Sequence, residues 1–203
     1  MASERDTYKT ISAIPEPQLF KDRGSKFFGY AFPVTSEEEI STHLFDLKKE
    51  HHTARHWCYA WQLGMRYEAY RANDDGEPNN SAGMPIYGQL QAFDLTNVLV
   101  VVVRYFGGTK LGVGGLIQAY KTAAQMVLEN ANVIEKTIDE RMRLTFGYAE
   151  MNTVMRLIKT HGIHIESQQM ELACEMVIAV RMMEADRIFQ LFTDTYKVTV
   201  TKL

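Results

Sequence analysis

Cysteine is nearly missing from this chain. Cys58 and Cys174 are the only two in 203 residues, too few for a disulfide framework and far apart in sequence, which fits a reducing compartment. Long apolar runs are missing too. No stretch approaches the roughly 20 residues of a membrane helix, and Met1 to Lys9 (MASERDTYK) has no apolar core of the kind a signal peptide carries. The expectation is a cytoplasmic protein with no membrane partner. Neither sign of charge is in excess. The formal net charge is −3, residues 1–136 hold 14 Lys and Arg against 16 Asp and Glu, and the remainder hold 8 against 9. Neither half is a basic domain. Any phosphate contact therefore has to come from local clustering of Lys21, Arg23, Lys26, Arg104, Lys110 and Lys121.

What the chain does contain is 46% hydrophobic and 23% charged residues, the balance of a soluble globular protein with one large or two small domains. Its organising stretch runs from Asp74 to Tyr120. There, Asn97 to Val103 (NVLVVVV) is almost wholly β-branched or aliphatic, which predicts a strand buried on both faces in the middle of a sheet. It passes through Arg104, Tyr105 and Phe106 into a glycine turn, Gly107-Gly108-Thr109-Lys110-Leu111-Gly112-Val113-Gly114-Gly115. Beyond it Leu116, Ile117, Tyr120, Ala123, Ala124, Val127 and Leu128 repeat at helical spacing. Such a turn has two uses, and the sequence leaves both open. Bare backbone and free N–H groups at a helix start suit an anion, and glycines equally let a helix pack tightly on a sheet. The spacing matches neither a P-loop, which needs Lys where Val113 stands, nor GxGxxG, which needs Gly where Ile117 stands.

Upstream, strands are expected at Tyr8–Ile14 and Ser25–Val34, with Pro15 and Pro17 marking the break between them. Ser36 and Glu39 form a capping box for a helix with Ile40, Leu44 and Leu47 on one stripe, ending at His51 and His52. His56–Leu63 alternates as a strand with Trp57, Tyr59, Trp61 and Leu63 on one side, and Tyr67–Ala72 is its hairpin partner. His51, His52 and His56 invite a metal reading, but adjacent histidines do not share a helix face, so a solvated helix end and a half-buried strand histidine are preferred. Cys58 reads as a packed thiol, and the tryptophans with Tyr105 and Phe106 read as core rather than as base-stacking platforms.

Asp74, Asp75 and Glu77 put three carboxylates within four positions, fixed by Pro78. They can hold Mg²⁺, act as acid and base, cap a helix over Ser81–Phe93, or pair with Arg104. After Ala131–Ile138 the pattern changes. Arg141–Tyr148 alternates as a strand, Ala149–His161 is helical, Ile163–Met170 and Glu171–Met182 are strands, Glu184–Tyr196 is helical and Val198–Leu203 closes as a strand. That order is βαββαβ, the ferredoxin-like plan. The fold class is therefore α+β, with domains over residues 1–135 and 139–203.

DDGEP, SAG-x-PI and NVLVVVVRYFGG-x-KLG-x-GGLIQAY, preceded by Ser25-Lys26-Phe27 and by His56-Trp57-Cys58-Tyr59-Ala60, resemble the motifs of the YigZ/Impact family in its bacterial two-domain form. The resemblance spans roughly Ser25 to Tyr120. Ser81 stands where that family usually has Thr, and Gln118 where it commonly has Arg, which removes a positive charge from the site. The resemblance implies a first domain with the fold of the second domain of a small-subunit ribosomal protein, shared with a class of small-molecule kinases. It further implies a second domain similar to domain V of elongation factor G.

Two function classes follow. The preferred one is a non-enzymatic factor that binds RNA, the ribosome or a translation-control protein. It is implied by the two translation-like folds and by eukaryotic relatives that look like regulators of an initiation-factor kinase. The alternative is a Mg²⁺-dependent enzyme acting on a small phosphorylated or nucleotide substrate, against which no nucleophile with an evident base stands in the sequence. No cofactor and no catalytic residue is assigned. Because strand ends and helix starts collect at one rim of a layered sheet, a ligand cleft is expected from Asp74, Asp75, Glu77, Arg104, Tyr105, Gly107, Gly108, Lys110, Gly112, Gly114 and Gly115, with Lys26 and His56 at its edge.

Overall fold

The computed structural model describes residues 5–171 and 173–203. Met1–Glu4 and Leu172, which fall within the stretches Met1–Lys9 and Glu171–Met182 discussed above, lie outside the described residues. Two compact units divide the chain, one over Tyr8–Lys136 and the other over Thr137–Leu203 with the residues up to Thr7. None of the described helices is long and apolar enough to cross a membrane.

In chain order the first unit is built from β1 (Thr7–Ile11), β2 (Gln18–Asp22), β3 (Ser25–Pro33), α1 (Glu37–Glu50), β4 (His56–Leu63), β5 (Ala69–Asn73), α2 (Gly83–Ala92), β6 (Val98–Tyr105), α3 (Gly112–Glu129) and β7 (Val133–Thr137). β1 pairs with β7, and the other strands form a five-stranded sheet in the order β2-β3-β6-β4-β5, antiparallel at every pairing. β6 is central, as its apolar run predicts, and Val98 to Val103 are all fully buried. Alternation sorts its side chains. Leu99, Val101 and Val103 meet Ile40 and Leu47 of α1 on one face, while Val98, Val100 and Val102 meet Ile86 and Leu90 of α2 and Tyr120 and Val127 of α3 on the other.

β2 and β7 are absent from the sequence-based expectation. Both are five-residue strands with no fully buried residue, so neither has enough apolar alternation to announce itself. The capping box is also only half formed. Ser36 Oγ accepts the Glu39 N–H at 3.3 Å, but the Glu39 carboxylate turns to the N–H and hydroxyl of Thr35, at 2.6 and 3.2 Å, because that residue offers two donors to one oxygen.

The second unit carries β8 (Asp139–Phe146), α4 (Met151–Thr160), β9 (His164–Met170), β10 (Cys174–Arg181), α5 (Met182–Thr193) and β11 (Val198–Lys202). The element order is the βαββαβ that the periodicity predicts, and the antiparallel sheet runs β11-β8-β10-β9. Met142, Leu144, Met176 and Ile178 of the sheet bury themselves against Val154, Ile188 and Phe192 of the helices. Asp6 belongs to this unit as well, since its carboxylate accepts from Arg181 Nε at 2.5 Å and its carbonyl from the Ile138 N–H at 2.7 Å.

Candidate ligand-binding cleft

The DDGEP turn is held by its own polar groups, which decides what its three carboxylates can do. Asp75 takes a left-handed φ of 42°, a conformation an Asx turn tolerates, and the Asn73 side chain accepts its N–H at 2.7 Å. Its carboxylate accepts the Trp57 N–H at 2.7 Å, and its carbonyl accepts from His56 Nδ1 at 2.8 Å. Asp74 accepts the N–H groups of Asn80, Ala82 and Gly83 at 2.8 to 2.9 Å. It caps α2 from nine residues upstream. Ala82 at the N-cap position has no side chain able to do so. Neither Asp74 nor Asp75 is among the residues that line the cleft beside the glycine turn, where the sequence-based expectation put them; backbone donors already occupy both.

Glu77 has a different environment. Phe27 of β3, Arg104 of β6 and His56 of β4 lie side by side across the sheet, on the face covered by α2 and α3. Glu77 Oε1 accepts from Arg104 Nη1 at 2.5 Å and from the Tyr120 hydroxyl at 2.8 Å, with His56 Nε2 at 3.8 Å. Burial pushes the Tyr120 hydroxyl well up and does the same to the Cys58 thiol. Both therefore stay protonated, Tyr120 donating to Glu77 and Cys58 to the Asp74 carbonyl at 3.0 Å. A thiol held in this way is a structural group, not a nucleophile. The Arg104 guanidinium lies between the Phe27 and Phe106 rings, 5.4 and 5.6 Å from their centroids, and its buried Nε–H has no acceptor.

The glycine turn leads from this cluster into α3. Gly107 serves close packing, since a Cβ there would stand 1.9 Å from the Gly24 carbonyl carbon, and its N–H donates to Ser25 Oγ at 3.1 Å. Gly108 and Gly112 hold φ of +87° and +73°, which β-carbon-bearing residues resist. At Gly115 a Cβ would press on Leu111 at 3.0 Å, whereas Gly114 has no steric or conformational reason to lack a side chain. Leu111 at the N-cap position provides no side-chain acceptor for the first turn of α3.

A cleft of about 350 Å³ opens between the two turns. Glu77 and Arg104 form its polar wall, Phe106 and Val113 its half-exposed rim, and Leu111 and Leu116 its apolar floor, with Lys110 and Gly112 at the mouth. The structure thus joins Glu77, Arg104, Lys110 and Gly112 of the sequence-predicted set, with His56 next to Glu77. Lys26 and Tyr105 do not join them. They are cross-strand partners on the opposite face, where Tyr105 packs with Phe28 and its hydroxyl bonds His51 Nδ1 at 2.8 Å. His51 also meets the Tyr30 hydroxyl through Nε2 at 2.5 Å, so it ties α1 to the sheet. Gln118, at the position of the missing Arg, points its amide to Thr122 Oγ1 at 3.1 Å. Sequence reasoning missed Tyr120 and Phe106 as parts of the site. Their positions, the last residue of GGLIQAY and the residue ahead of the glycines, were the available signal.

Together these features define a two-unit α+β protein whose cleft is built where a buried central strand passes through a glycine turn into a helix, opposite a DDGEP turn. The chain belongs to the Impact family, whose "Impact N-terminal domain" matches residues 23–128. A relative from Bacillus subtilis strain 168, "IMPACT family member YvyE", is 33% identical over 148 residues, 73% of this chain and 68% of that protein. A crystal structure of a hypothetical protein, 23% identical, covers 98% of both chains with a TM-score of 0.73, which shows the fold. The two-domain translational regulator Yih1 is 29% identical over 59% of this chain and 46% of its own, with a TM-score of 0.37.

Proposed function

We propose that this chain is a non-enzymatic, translation-associated factor of the cytoplasm that acts by binding RNA, alone or on the ribosome. The translation link rests on family membership and on the two folds that the motif resemblance implies. The observation that carries RNA binding is the β2–β3 hairpin. Lys21 and Lys26 are directly opposite each other in its register, with Arg23 in the turn between their strands, and none of the three has an ion pair among the described residues. Like charges facing across a strand pair are unfavourable for the fold alone, by a few tenths to about 1 kcal/mol, so they fit a surface that meets an anionic polymer. This hairpin touches the glycine turn through Gly24 and Gly107, and Lys110 in that turn is a further exposed cation. An enzyme reading has less support, because Asp74, Asp75 and Glu77 each already hold backbone donors or Arg104.

The test is titration of labelled single-stranded RNA at several salt concentrations. With two or three phosphates held, log affinity falls against log salt with a slope of about −1.5 to −3, and Lys110→Ala or Lys26→Ala flattens that slope by about 1. Salt-insensitive binding together with Mg²⁺-dependent turnover of a nucleotide, lost in Asp75→Asn, would overturn the reading.

A further inference from the structure

The cleft beside the glycine turn differs from the basic hairpin in size and in charge, and it holds a group that the fold leaves unfinished. Four observations converge there. The first turn of the 18-residue helix α3 has no side-chain cap, and its residues Gly112 and Val113 line the cleft, which brings the partial positive charge of a helix start to that wall. Arg104, only 5% exposed, lines the same cleft with its Nε–H lacking an acceptor. Buried donors of this kind are normally satisfied. Lys110 stands exposed at the mouth with no ion pair among the described residues. Phe106 presents a half-exposed ring at the rim, backed by the Arg104 guanidinium.

We propose that this cleft receives the terminal phosphomonoester of an RNA strand, with the phosphate on the first turn of α3 and Lys110 and the end base against Phe106. This rests on the RNA-binding reading above and names the part of the RNA that the cleft takes. A volume of about 350 Å³ is at the lower end for ligand pockets and suits one nucleotide rather than a strand passing through. A phosphomonoester carries about 1.5 to 2 negative charges at neutral pH, against one for an internal phosphodiester. The site's excess positive charge is Lys110 and the helix start, Arg104 being balanced by Glu77.

The experiment compares one RNA sequence carrying a 5′-phosphate, a 3′-phosphate or hydroxyls at both ends, bound to the full chain, with inorganic phosphate and a nucleoside 5′-monophosphate as competitors. One phosphorylated end should bind at least tenfold tighter than the hydroxyl form, and the nucleotide should compete far better than inorganic phosphate. Lys110→Glu, at an exposed position of the cleft mouth, should abolish that preference while Tm stays within a degree or two of the wild type, because it replaces the phosphate's free cation by a like charge. Equal affinity for all three ends, with salt-dependent binding intact, overturns this proposal and leaves the general RNA reading standing. Equal competition by inorganic phosphate also overturns it, since the ligand would then be a free anion. Failure of every RNA to bind removes both readings.

Discussion

Glu77 and Arg104 meet at 2.5 Å with side chains only 5% and 6% exposed, joining the DDGEP turn to the end of the central strand across 27 positions of sequence. The pair decides the character of the cleft. It turns a carboxylate that reads as a catalytic or Mg²⁺ candidate into the neutralised wall of a site whose remaining donors are positive.

A buried pair of this kind is costly to break. Removing one partner leaves the other charge desolvated, so Arg104→Ala should lower unfolding free energy by about 3–5 kcal/mol. The double change Arg104→Met with Glu77→Gln should lose less than the single variant. Denaturant midpoints read both, and a loss under about 1 kcal/mol in Arg104→Ala would mean that the pair does not hold the turn.

Asp74 works as a cap. Two N–H groups at the start of α2 and that of Asn80 in the turn before it depend on it, so Asp74→Ala should cost at least the 0.5–2 kcal/mol of a lost N-cap, and Asp74→Asn less. Added Mg²⁺ should leave the thermal midpoints of the wild type and both variants in the same order and spacing. A Mg²⁺-dependent rise in the wild type alone would identify the turn as a metal site.

His51 should make stability depend on pH. Burial holds its imidazole below the ordinary value, opposed by the nearby Glu50 carboxylate, while Tyr30 is pushed up to about 12 by burial and stays neutral. Above the ordinary histidine value of about 6.5 the group is neutral in both states and its contribution is complete. As pH falls below that value the unfolded chain takes up the proton first, and stability is lost until the folded-state value is passed. Thermal midpoints between pH 7 and 5 should therefore fall more steeply in the wild type than in His51→Gln. Parallel slopes would rule this group out.

Residues 8–136 should fold without the rest. β1 and β7 both lie within this stretch apart from Thr7 and Thr137, and Ser12 and Asn132 are bonded to each other at 2.8 to 3.3 Å, so the fragment keeps its own ends together. Cooperative thermal unfolding is the expected result. An insoluble or molten product would show that the fragment needs the remaining chain.

What the sequence determined by itself was local and periodic. The apolar run of β6, the alternation of β4, the helical repeats and the βαββαβ order were all legible, because burial of one face or both imposes a period that survives in the order of residues. The motif resemblance placed the chain in its family for the same reason, being a matter of residues in order. The roles of the charged groups were decided only in three dimensions. Asp74, Asp75 and Glu77 look equivalent along the chain, yet one caps a helix, one holds a strand N–H and one pairs with Arg104, since each role depends on which donor lies opposite after folding. Lys26 and Tyr105 were separated from the cleft by side-chain alternation at one end of a strand pair, where a single residue's step moves a group to the other face of the sheet.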